Sequence, residues 1–115
     1  MAFLTKKDIL SADDLPKEKV TVKEWGGEVM VRGLTAAERD EFEKEVFDEE
    51  GNVKGSFRPK LVVRCCVDEE GKPLFNKGDD VGLAKKSGKA IQKIFRVAQR
   101  LSGMTNKDLE ELAKN

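Results

Sequence analysis

The chain has 115 residues, about one domain's worth, with 22 basic and 22 acidic residues, 38% hydrophobic content and no histidine. A formal net charge of zero argues against non-specific nucleic-acid binding and favours self-association. No run of about 18 apolar residues is present to span a membrane, and the lack of histidine removes the commonest metal ligand and general base. The N-terminus, MAFLTKKDIL, has too short an apolar region for a secretory signal, and its charges follow that region. The cytosol is therefore the expected compartment.

In chain order, residues 1–19 read as a peripheral segment and 20–115 as a single α+β domain. Thr5, with Asp8 three positions on, matches a capping box for a short turn of helix. Val20-Thr21-Val22 and Glu28 to Arg32 alternate at period two. Trp25-Gly26-Gly27 between them is a turn signal. The expectation is a β-hairpin with Val20, Val22, Val29 and Val31 as its apolar set. Thr35 and Glu38 form a second capping box, opening a helix to about Phe47 with Phe42 and Val46 on one face.

Ser56 is expected to cap a helix starting at Phe57-Arg58-Pro59, where proline is tolerated in the first turn. Leu61, Val62, Cys65 and Cys66 recur at helical spacing, so a helix is the favoured reading of this segment. The run LVVRCCV is also β-branched, and a strand remains the alternative. The neighbouring cysteines read as reduced thiols packed as small hydrophobes. Asp79 or Asp80 is expected to cap a short helix over 80–86, and Ser87 caps GKAIQKIFRVAQRL, which stops at Ser102-Gly103. Thr105 and Asp108 open a last helix carrying Leu109 and Leu112. The fold class is therefore α+β, an N-terminal hairpin followed by about four or five helices. Trp25, Phe42, Phe47, Phe57 and Phe75 are its large apolar core candidates.

The tetrapeptide DEEG occurs at 48–51 and again at 68–71. A calcium loop needs glycine at its sixth position and glutamate at its twelfth. From Asp48 these are Val53 and Pro59; from Asp68 they are Pro73 and Asp79. Both copies fail, and both read as turns with Gly in the left-handed position. GLAKKSGK, residues 82–89, has five residues between its glycines and Ala90 after Lys89, so it fails as a phosphate loop. The carboxylates lie in runs with no partner that would set one apart for acid–base work. No cofactor and no enzymatic activity are expected.

Charge is divided along the chain. Residues 35–50 hold two cations and eight acids, net −6, while 85–100 hold six cations and no acid, net +6. Lys89, Lys93, Arg96 and Arg100 share one helical stripe, opposite Ile91, Ile94, Phe95, Ala98 and Leu101. Three readings apply to the stripe: a solvated outer face, pairing with an acidic protein surface, or nucleic-acid binding. The second includes the acidic helix of a neighbouring copy, with Glu38, Glu41 and Glu45 as its contacts. Nucleic acid is the weakest reading, because no aromatic interleaves the stripe for base stacking. Opposed patches on one neutral chain suit head-to-tail association into rings or open spirals.

The pieces Glu24-Trp25-Gly26-Gly27, Arg32-Gly33-Leu34-Thr35, Gly71 to Phe75 and Leu101-Ser102-Gly103 occur in an order that resembles tail assembly chaperones of long-tailed phages and prophages. The similarity covers roughly residues 3–115. It implies a non-enzymatic protein that coats the tape measure protein and keeps it soluble until the tail tube polymerises. It further implies homo-oligomers, the tail tube protein as a further candidate partner, and a place in the bacterial host's cytoplasm rather than in the mature virion. No active-site residues come with the resemblance. The competing function is a small nucleic-acid-binding regulator using the basic helix at 85–100.

Overall fold

Val20, Val22, Val29 and Val31 fall on one face of an antiparallel pair, as alternation at period two requires. The pair is β1 (Lys17–Val22) and β2 (Gly27–Arg32), with Val20 opposite Val29 and Glu18 opposite Val31. The computed structural model describes residues 2–105 and Lys107. Of the last helix expected after Thr105, Asp108, Leu109 and Leu112 lie outside the described residues.

Between the strands the chain makes one 3₁₀ turn at Lys23–Trp25, closed by the Gly26 N–H donating to the Lys23 carbonyl. Gly26 takes φ +72 there, which favours glycine. The turn carries Trp25 to the hairpin tip, 38% exposed. Trp25 is therefore not a core residue.

Helices α1 (Lys6–Leu10) and α2 (Ala36–Val46) both open on the expected capping boxes. In each, the threonine hydroxyl accepts from the third N–H and the acid reaches back to the threonine N–H. Helix α3 (Phe57–Cys65) starts after Ser56 as expected, but the Ser56 side chain makes no capping bond, so the expected cap is not formed. The chain then extends, and Cys66–Val67 forms β3, pairing Cys66 with Val31 and Val67 with Met30. The sheet thus has three antiparallel strands, ordered β1-β2-β3, rather than a hairpin alone. The helical spacing ends at Cys65, and the β-branched alternative takes over one residue later. This switch explains how two consecutive cysteines are both buried: one closes a helix, and the other opens a strand on the core face.

Helix α4 (Asp80–Leu83) is shorter than expected, and Asp79 does not cap it. The Asp79 carboxylate instead accepts from the Asn76 N–H at 2.7 Å, serving the turn before the helix. Ser87 caps α5 (Gly88–Leu101) by accepting from the Ala90 N–H. Five helices and the sheet thus make the α+β architecture among the described residues, with α1 ahead of the hairpin. Helix α5 lies against α3 and the β1–β2 face, burying Ala90, Ile91, Ile94, Phe95 and Ala98. Phe95 meets Phe57 edge to face at 5.8 Å, and the Arg58 guanidinium stacks 4.7 Å from the Phe57 ring.

Both DEEG segments are the same hairpin turn. In each, the aspartate Oδ1 accepts two N–H groups: Glu50 and Asn52 at Asp48, Glu70 and Lys72 at Asp68. Gly51 and Gly71 share φ +84, and antiparallel bridges Phe47–Val53 and Val67–Pro73 close the two loops. Each turn follows a helix, reversing the chain after α2 and again after α3 and β3.

Candidate functional site: a basic cleft on helix α5

Helical periodicity puts Lys89, Lys93 and Arg96 on the outer face of α5, and all three are exposed. Together with Gln92 and Val97 they line a cleft of about 600 Å³, whose other wall is Lys23 and Glu24 from the hairpin turn. Among the described residues, none of Lys89, Lys93 and Arg96 is ion-paired, so four cations face one carboxylate across the cleft. Arg96 also reaches a neighbouring hollow lined by Gln92, Gln99, Arg100 and Met104.

Arg100 behaves differently. Its Nη2 donates to both Glu18 carboxylate oxygens, at 2.8 and 2.7 Å, and ties the C-terminal turn of α5 to β1. The stripe read from the sequence is thus three free cations and one structural pair.

Glu38, Glu41 and Glu45 lie on α2 and line a separate, smaller cleft of about 290 Å³ with Arg32, Arg64, Val63 and Phe75. The structure does not bring them near the basic cleft, and each already has a cation. Arg32 donates to Glu38 through both terminal nitrogens, at 2.8 and 2.7 Å. Arg64 donates to Glu45 at 2.7 Å and to Glu41 at 3.3 Å. The hydrogen bonds from Arg32, helped by the Thr35 N–H, hold the Glu38 carboxyl at about 2, well below the usual range. Glu38 in turn raises the Arg32 pKa. Burial works against the charge on Arg64, but Glu45 and Glu41 outweigh it and raise its pKa too.

The division of charge in the sequence is therefore unequal in space. The acids nearest the fold are neutralised from within, while Lys89, Lys93 and Arg96 on α5 stay exposed with no ion pair among the described residues. Sequence windows missed Arg32 and Arg64 because each lies outside the acidic run it serves, Arg64 19 residues beyond Glu45. Also missed were the exposed apolar residues in and just before α1. Phe3 is fully exposed, and Leu4, Leu10 and Ile9 are 72%, 75% and 57% exposed. Their signal was present in FLTKKDIL, where apolar residues flank a strong helix cap.

Among the described residues no group of three or more His, Cys, Asp or Glu side chains is arranged to hold a metal ion. No helix among them is long and apolar enough to cross a membrane. A sequence model of the family described as phage tail assembly chaperone matches residues 6–115. No curated protein and no solved structure matches the chain.

Proposed function

This chain belongs to the phage tail assembly chaperone family, and from that premise we propose that it coats the tape measure protein and keeps it soluble before the tail tube forms. The observation that carries this reading is the unpaired cationic cleft of Lys23, Lys89, Lys93 and Arg96. Its surface is charged at the rim and apolar at Val97, and it suits an acidic, amphipathic helical segment. The cleft sits on α5, the best-anchored helix of the fold, so it presents a fixed surface rather than an adaptable loop.

Each such contact is weak. Exposed ion pairs contribute about 0–1 kcal/mol, so one copy is easily displaced. Many copies along one long chain bind by avidity and still leave one at a time. That is the behaviour required of a chaperone that the tail tube protein replaces. Copies associate with one another along the tape measure protein as a ring or spiral. The work is done in the host cytoplasm, by binding rather than catalysis, and the chaperone is absent from the finished virion.

The test is co-expression with the tape measure protein of the same phage or prophage. Soluble tape measure protein should rise with this chain and fall back when Lys89, Lys93 and Arg96 are all changed to Glu, with circular dichroism showing the fold intact. A tape measure protein equally soluble without the chain would sink the reading. So would tight binding of duplex DNA at physiological salt, which points to the regulator alternative.

A further inference from the structure

Helix α1 has a complete Thr5–Asp8 capping box, yet it buries none of its residues. A helix this short is not stable in water without a surface to lie on. Its apolar side chains, Phe3, Leu4, Ile9 and Leu10, are exposed, and Lys6 and Lys7 stand among them. The result is a positively charged apolar arm, joined to β1 through residues 11–16.

A surface of matching chemistry lies elsewhere on the same chain. At the C-terminal end of α2, Asp40, Glu43, Lys44, Phe47, Asp48 and Glu49 line a groove of about 540 Å³. Its floor is the half-buried Phe47 ring, and four carboxylates against one ammonium surround it. Two of these carboxylates have local partners: Asp48 accepts from its turn, and Glu43 lies 3.6 Å from Arg39. Asp40 and Glu49 stand exposed on the rim.

The root of the arm and the Phe47 floor of the groove sit at opposite ends of α2. The Pro16 carbonyl, at the root of the arm, accepts from the Gly33 N–H just before α2 begins. The groove runs along the C-terminal half of α2 from Asp40, and its Phe47 floor follows the last of the helix's eleven residues, about 16 Å along the helix axis from its start. We propose that residues 2–10 of one copy dock in the Phe47 groove of a second copy. Phe3, Leu4 and Leu10 cover the Phe47 ring, and Lys6 and Lys7 face Asp40 and Glu49. Donor and acceptor are different surfaces, so every docked pair leaves one arm and one groove open, and the contact propagates into a string or ring. This deepens the self-association reading and does not depend on which surface meets the tape measure protein.

Sedimentation of the full chain at rising concentration tests it, using two variants changed only at exposed positions. One carries Phe3→Ser, Leu4→Ser and Leu10→Ser; the other carries Asp40→Lys and Glu49→Lys. The unaltered chain should form concentration-dependent oligomers, and each variant should weaken association by about tenfold or more. Mixed together, the two variants should form a one-to-one dimer and stop there, because only one intact arm–groove pair remains. Arm exchange is overturned if the unaltered chain stays monomeric, if the arm variant still assembles, or if the mixture gives no complex. An arm variant that assembles normally but no longer solubilises the tape measure protein would place the arm on that partner instead. If the unaltered chain is a monomer that still keeps the tape measure protein soluble, arm exchange fails while the proposed function stands.

Discussion

The backbone N–H of Leu34 donates to the Ser102 hydroxyl at 3.0 Å, joining residues 68 positions apart. One residue earlier, a Cβ on Gly33 would lie 2.4 Å from the Leu101 carbonyl oxygen. The segments Arg32-Gly33-Leu34-Thr35 and Leu101-Ser102-Gly103, two that carry the family resemblance, are therefore one junction. They lock the end of α5 against the start of α2. What they hold is architecture, with the Thr35 cap, the Arg32–Glu38 pair and the root of the N-terminal arm all within a few residues of it.

Gly33→Ala should accordingly destabilise the fold by roughly 2–3 kcal/mol, since the obstructing atoms are backbone and cannot swing away. Ser102→Ala should cost about 1–2 kcal/mol by leaving the Leu34 N–H unpaired. Gly27→Ala is the control, because nothing lies within 4 Å of its would-be Cβ. Urea denaturation reads all three, and a Gly33→Ala midpoint equal to the control would show that the junction is loose.

Glu38 makes stability depend on acid. Its carboxyl is held at about 2 in the folded chain against an ordinary 4.5, so the folded state binds the proton less readily than the unfolded one. The stabilisation is complete above the ordinary value and is lost as pH falls from there through about 2. Glu38→Gln should cost about 2 kcal/mol at neutral pH, through the Arg32 pair and the capping box together. The gap between the variant and the unaltered chain should close as pH is lowered from 5 to 2. A gap constant over that range would mean that the carboxylate charge contributes nothing.

Much of this was legible in the sequence where local chemistry decides. Thr5 and Thr35 announce a helix start through their own hydroxyl and the acid three positions on, Ser87 through its hydroxyl alone, and these three caps formed, whereas those expected at Ser56 and Asp79 did not. Period two placed the four valines correctly on one face. Legibility failed where a distant partner decides. Cys66 is extended because it pairs with Val31, a choice invisible in LVVRCCV itself. Trp25 looked like core by size alone, yet the 3₁₀ turn carries it outward. The acids of α2 looked free because Arg64 meets Glu45 only once α3 packs on α2. Lys89, Lys93 and Arg96 were read correctly as one exposed stripe, but Arg100 was lost from it to Glu18 on the neighbouring strand.

The paired DEEG turns give an internal comparison. Gly51→Ala and Gly71→Ala both force a side chain into φ +84 and should each cost about 1–2 kcal/mol. Asp68→Ala should cost more than Asp48→Ala, because the second turn also holds β3 in register with β2. Calcium should leave every midpoint unmoved, since each aspartate Oδ1 is already occupied by two N–H donors. Thermal denaturation with and without calcium checks this, and a calcium-dependent rise in either midpoint would restore the metal-loop reading.

Cys65 and Cys66 should be chemically silent in the folded chain. Burial is the main cause that pushes both thiols up to about 12, against an ordinary 9, and at Cys65 it outweighs the Ser102 hydrogen bond that acts the other way. At pH 8 the native thiolate fraction is then about a thousandfold below that of the unfolded chain, and a thiolate is the species that reacts. A disulfide reagent should therefore label neither cysteine under native conditions and both in denaturant. The folded state holds these protons more tightly than the unfolded state, so stability is complete below pH 9 and falls as pH rises from 9 towards 12. Replacing both cysteines with Ala should flatten that alkaline limb while lowering stability at neutral pH, because two buried side chains lose packing volume. Rapid stoichiometric labelling of the native chain would instead mean that the junction of α3 and β3 opens readily, and with it the β2–β3 pairing on which the three-stranded sheet depends.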